Sequence, residues 1–123
     1  MVRCQVVLLA LMAGATPVAA QSGVSPITGT MLLPGCINHL EELSPTVSTD
    51  VVYASGVCLG MISILAAVGT VLPADRRYCP PPTGTVTQAV RVVVKYLNDH
   101  PERLHERFQI LAVDGLRAAW PCK

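Results

Sequence analysis

The cysteines limit what this chain can fold into more sharply than any other feature, and residues 1–20 decide their chemistry. That stretch carries Arg3, then the apolar run Val6 to Ala13, then the small residues Val18, Ala19 and Ala20, the pattern of a signal peptide cleaved after Ala20. The run is too short for a membrane anchor, and Cys4 lies ahead of it, so Cys4 leaves with the leader and is not a lipid-bearing cysteine. Cys36, Cys58, Cys79 and Cys122 remain. An even set without a CxxC pair, in an oxidising compartment such as the periplasm, favours two disulfides over metal ligation.

Residues 21–123 make one domain with a small core. Once Arg3 is gone, eight basic residues face eight acidic ones, and the net charge is about zero. That balance gives no support for nucleic acid or an anionic membrane as partner. No motif asks for a cofactor.

Helical signals fill most of the remainder. Residues 21–30, rich in Gly, Ser, Thr and Pro, read as a flexible arm, with the domain proper at 31–123. Met31, Leu32, Leu33, Cys36, Ile37 and Leu40 keep helical spacing, but Pro34-Gly35 interrupts them, and proline sits comfortably only in a first turn. A first helix is therefore expected from about Pro34 to about Leu43, followed by a turn at Pro45. Ser48 or Thr49 caps a second helix that runs to Val68, with Gly69 as its stop. A loop with Arg76, Arg77 and Pro80-Pro81-Pro82 follows. Thr85 and Gln88 form a capping box for a third helix, Val86 to about Asn98, with Ala89, Val90, Val93, Val94 and Leu97 on one face. Pro101 opens a fourth helix that buries Leu104, Phe108, Leu111, Ala112, Leu116 and Ala119 and leaves Arg103, Glu106, Arg107 and Arg117 outside.

Val51 to Leu72 contains no charge and carries a Gly56-xxx-Gly60 spacing, which is also what a transmembrane helix looks like. Topology weighs against a span. Arg76 and Arg77 follow the run, so the positive-inside rule would send Cys79 and Cys122 into a reducing cytosol, away from Cys36. The alternative is a helix buried at the centre of a small bundle.

Four cysteines permit three pairings, and the helix map separates them. Cys36 and Cys58 lie at similar depths from the Pro45 turn, so an antiparallel hairpin brings them level. The last helix returns Cys122 toward Cys79, just before the third. The expected fold is all-α: a small four-helix domain of two hairpins, bridged Cys36–Cys58 and Cys79–Cys122.

His100, Glu102 and His105 invite a metal or catalytic interpretation. Five residues apart, the two histidines stand about 140 degrees out of register on a helix and cannot form a paired ligand face. A Cys–His hydrolase needs a free thiolate, which oxidised cysteines do not supply. The chain is not expected to be an enzyme. Arg76-Arg77 suits an acidic partner surface, although exposed loop charges are usually just solvated.

The run Tyr96-Leu97-Asn98-Asp99-His100-Pro101-Glu102-Arg103-Leu104-His105 and the ending Ala118-Ala119-Trp120-Pro121-Cys122 resemble the Rap/Tai family of type VI secretion amidase immunity proteins. The resemblance extends to Thr85 and Gln88, to Cys58-Leu59-Gly60, and to Gly29, Leu32-Leu33 and Cys36. Met61 and Ile64 depart from it where the family has a tyrosine and a glycine, and Pro34-Gly35 is also atypical. It implies a periplasmic binding protein, often a homodimer, that occludes the groove of a peptidoglycan-cleaving amidase effector. The candidate contact residues are Arg76, Arg77, Asp99, His100 and Glu102, on the two segments that protrude from the helices. A general envelope stress or assembly factor on the same scaffold remains the alternative.

Overall fold

The computed structural model describes residues 25–41 and 46–123. The expected leader, residues 21–24 of the arm, the Pro45 turn and the expected helix end at Leu43 lie outside them. Among the described residues are four α-helices: α1 (Gly29–Leu40), α2 (Thr49–Val68), α3 (Val86–Asp99) and α4 (Phe108–Ala119). Short 3₁₀ turns at Gly69–Val71 and Pro101–Arg103 follow α2 and α3. The pairs α1/α2 and α3/α4 are the two expected hairpins, packed against each other.

Both bridges are the expected ones: Cys36–Cys58, with Cα atoms 5.5 Å apart, and Cys79–Cys122, with Cα atoms 5.0 Å apart. They differ in environment. Cys36 and Cys58 are each 0% exposed, whereas Cys79 is exposed and Cys122 half-buried. Beside the first bridge, α1 and α2 nearly touch at Gly35: a Cβ there would lie 2.3 Å from the Ala54 carbonyl carbon and 2.4 Å from the Ser55 nitrogen. Gly35 is thus fixed by this close approach.

α1 starts at Gly29, not near Pro34, and the reason is tertiary. Its N-cap, Thr28, makes no side-chain capping bond. Instead the orphan amides of its first turn find carbonyls far along the chain: Gly29 N–H donates to Glu106 O (3.1 Å) and Thr30 N–H to Leu104 O (2.9 Å). Phe108 N–H returns a bond to Ile27 O (2.9 Å). Ile27 to Thr30, expected in the arm, are therefore tied to the start of α4. Pro34 sits inside α1 with its side face exposed, where loss of one helical bond costs about 3 kcal/mol in an isolated helix. Docking of the helix start and the Cys36–Cys58 bridge outweigh it.

The core lies where the hairpins meet. Val90, Val93 and Leu97 of α3 and Phe108, Leu111 and Leu116 of α4 are all buried there, with Cys36, Cys58 and Ile62. Two expectations fail at this level. Ala119 is exposed, as are Arg117 and Ala118 in the same last turn of α4. α2 is not a buried centre: only Ala54, Cys58 and Ile62, at four-residue spacing, are buried, so it lies on the outside of the domain.

Tyr78 pins the segment between α2 and α3. Its ring is fully buried against Gly69, where a Cβ would come within 2.3 Å of the ring, and its hydroxyl donates to Leu65 O. Burial pushes its pKa up to about 12.

Candidate functional site

The connection from α3 to α4 is the most heavily braced protrusion. Thr85 Oγ1 accepts the Gln88 amide (3.1 Å) to start α3, and the apolar stripe predicted for it faces the core. The helix ends at Asp99, since Pro101 lacks the N–H that another turn would need. Pro101 then opens a 3₁₀ turn rather than α4, which starts at Phe108. The sequence reading placed Arg103 and Glu106 on the outer face of a continuous helix. In the structure, Arg103 turns inward and the helix breaks around it.

Arg103 holds Glu106 with two parallel bonds, Nε to Oε1 at 2.7 Å and an η-nitrogen to Oε2 at 2.8 Å, and reaches Asp114 Oδ2 on α4 at 2.9 Å. Its other η-nitrogen donates to the Tyr96 hydroxyl on α3, and the guanidinium carbon lies 5.8 Å from the Tyr96 ring centre. His100 stacks on the same ring at 4.3 Å, tilted by 46°, with its Nδ1 3.3 Å from Glu102 Oε1. One arginine thereby joins α3, the turn and α4. A planar fork paired with two carboxylates is geometry that lysine cannot reproduce. The hydrogen bonds that Arg103 donates to Glu106 and Asp114 raise its pKa further above its usual range, and the same bonding holds the Glu106 carboxyl below its own.

This brace leaves Asp99, Glu102 and His105 exposed on a fixed backbone, with His100 half-buried. Asp99 is paired with Lys95 at 2.7 Å along the helix surface. What the turn offers a partner is shape and polar groups on a rigid edge. All four cysteines from Cys36 onward are in disulfides, so none supplies a nucleophilic thiolate.

The structure does not gather the sequence-predicted contact residues into one place. Arg76 pairs with Asp75 at 3.5 Å and lines a shallow groove with Leu65, Gln109, Ile110 and Val113. Arg77 donates from Nε to Leu72 O (3.0 Å) and lines a different cleft with Arg117 and Cys122. Asp99 faces a third, with Tyr96, Gly115 and Ala119. His100 and Glu102 alone contact each other. Arg103 and Asp114, which the sequence reading did not single out, organise the turn. The available signal was Asp114 itself, an acidic residue set between buried Val113 and Gly115 on an otherwise apolar stretch.

α2 presents a second surface of unusual character. Thr49–Val71 is long and apolar enough to cross a membrane, with mean hydropathy 2.2, yet only 22% of its most apolar stretch is buried. Val52, Tyr53 and Ile64 stand exposed on it, and a Cβ at Gly56 or Gly60 would meet open space.

The described residues form a small helical domain bridged by two disulfides, with a braced polar turn at its surface. Residues 28–122 match the family model of the Rap1a immunity proteins, and the chain belongs to that family. Membership implies inhibition of a cognate effector, a non-enzymatic role. A comparison with curated proteins finds no match to the chain.

Proposed function

We propose that this protein is a periplasmic immunity protein that silences a type VI secreted peptidoglycan amidase by covering its active-site groove. The observation that carries the reading is the family match over residues 28–122, which includes every residue of the braced turn. Arg103 fixes that turn before any partner arrives, so little conformational entropy is lost on docking. His100 and Glu102 lie at the tip and make the first contacts, with Asp99 beside them. Two disulfides suit an oxidising envelope compartment, as does the export leader expected from the sequence.

A homodimer completes the reading, formed through the outward face of α2. That face carries no charge from Val51 onward and buries little of its apolar surface in the monomer. The rival reading, a membrane-spanning α2, is opposed by the position of Cys58 near the helix middle. A spanning α2 would draw Cys36 and α1, with buried Asn38, to bilayer depth.

The test is coexpression with a type VI secreted peptidoglycan amidase, both directed to the periplasm. Survival is expected, and Glu102→Arg should restore lysis while leaving the thermal midpoint unchanged. Lysis despite abundant wild-type protein would count against the reading.

A further inference from the structure

The cleft between the segment after α2 and the end of α4 has a chemistry that the immunity reading does not use. Its volume is about 270 Å³, and Ala74, Arg77, Arg117, Pro121 and Cys122 line it. Two arginines thus line one small space, and neither forms an ion pair among the described residues. The acidic neighbour of Arg77 in sequence, Asp75, is engaged with Arg76 instead. Arg117 lies in the last turn of α4, where the helix dipole offers only about half a negative charge against these two cations.

The segments that bear the two arginines are held together. Arg77 is followed by Tyr78, buried to 0% exposure, and by Cys79, bonded to Cys122. Its Nε is bound to Leu72 O, which leaves both η-nitrogens free to donate. The Cys79 amide donates to Trp120 O at 2.9 Å, so backbone and disulfide together clamp the segment bearing Arg77 onto the tail of α4 bearing Arg117. Two arginines brought to one cleft suit a planar anion, and carboxylate matches the arginine fork.

We infer that this cleft is a docking site for a carboxylate side chain presented by an acidic protein segment. Ala74 and Pro121 give it apolar walls beside the cations. A glutamate would lay its methylene stem on those walls and place its head between the guanidiniums. An inorganic anion has nothing to set against them. The assignment is independent of the braced turn and does not require that the segment belong to an amidase.

The experiment is an NMR titration of the isotopically labelled, oxidised chain with a blocked Gly-Glu-Glu-Gly peptide at low salt. The expected result is movement of the Ala74, Arg77 and Arg117 amides, with affinity weakened about tenfold by either Arg77→Ala or Arg117→Ala. Arg77→Lys, which keeps the charge and loses the fork, should weaken it less than Arg77→Ala. Arg91→Ala removes an exposed cation from α3 and should leave the affinity unchanged. Equal weakening by Arg91→Ala, no movement at the cleft, or equal movement with inorganic phosphate at the same concentration would each overturn the assignment.

Discussion

Replacing each disulfide by a pair of alanines sets two physical effects against each other. On the chain-entropy account, a bridge closing residues 22 apart contributes about 3.4 kcal/mol and one closing residues 43 apart about 4.0. Loop length alone therefore makes Cys79–Cys122 the costlier bridge to lose, by roughly 0.6 kcal/mol. Burial acts in the opposite direction. Cys36 and Cys58 are completely enclosed between α1 and α2, beside the Gly35 contact, so their removal also leaves a cavity. At about 1 kcal/mol for each buried sulfur, on the scale of a buried methylene, the added cost is roughly 2 kcal/mol. Cys79 is exposed and incurs little of this.

Burial thus decides the order. The Cys36→Ala/Cys58→Ala variant should be the less stable of the two, by roughly 1 kcal/mol or more, or about 4–8 °C in thermal midpoint. Urea unfolding followed by circular dichroism measures both. The same geometry makes the exposed Cys79–Cys122 bridge the first to be reduced by mild thiol treatment, with Cys36–Cys58 surviving until the domain opens. If the Cys79→Ala/Cys122→Ala variant proves the less stable, the argument that enclosure outweighs loop length fails.

Two further perturbations test the packing and the turn. Gly35→Ala puts a methyl group into the α2 backbone, and the overpacking should cost about 3 kcal/mol net of the roughly 1 kcal/mol that alanine gains in helix propensity; an unchanged urea midpoint would mean that the helices do not meet there. Glu106 is held by Arg103 below its ordinary pKa of 4.5, so its contribution to stability is complete above that pH and disappears as pH falls through the folded value. Melting temperature recorded from pH 6 to about pH 2 should therefore decline more steeply in the wild type than in Arg103→Met, and parallel curves would contradict the pairing.

Legibility in the sequence followed the range of the interactions. α3 could be read because its signals are local and agree: Thr85 caps it, five apolar residues form its inner face, and Pro101 ends it. The bridges could be read because a hairpin of known polarity brings only certain cysteines level. The start of α1 could not be read, because its first amides are satisfied by Leu104 and Glu106, more than seventy residues away in the chain. The same interaction hid the start of α4. The carbonyls that cap α1 are free to do so only because the chain after Pro101 is not helical, and Arg103, drawn toward Asp114 and Tyr96, holds it in that form. Of the candidate contact residues, types and exposure were legible. The separation of Arg76, Arg77 and Asp99 into three clefts was not, since the segment carrying Arg76 and Arg77 meets α4 near its start and again near its end.

The exposed apolar side of α2 has a physical explanation in how the helix is attached. Ala54, Cys58 and Ile62 are buried every four residues, half-buried Val57, Met61 and Leu65 pack on the core beside them, and the buried bridge sits in the middle of that stripe. A covalent bond and the Gly35 contact secure the helix along this stripe, which is the side a surface helix turns to its core. The outer residues are released from the requirements of the monomer fold. Selection for stability alone gives no reason to keep Val52, Tyr53 and Ile64 apolar around two open glycines, where polar residues would improve solubility. In the homodimer proposed above, the uncharged face of a second copy would cover these residues without leaving a buried charge unpaired.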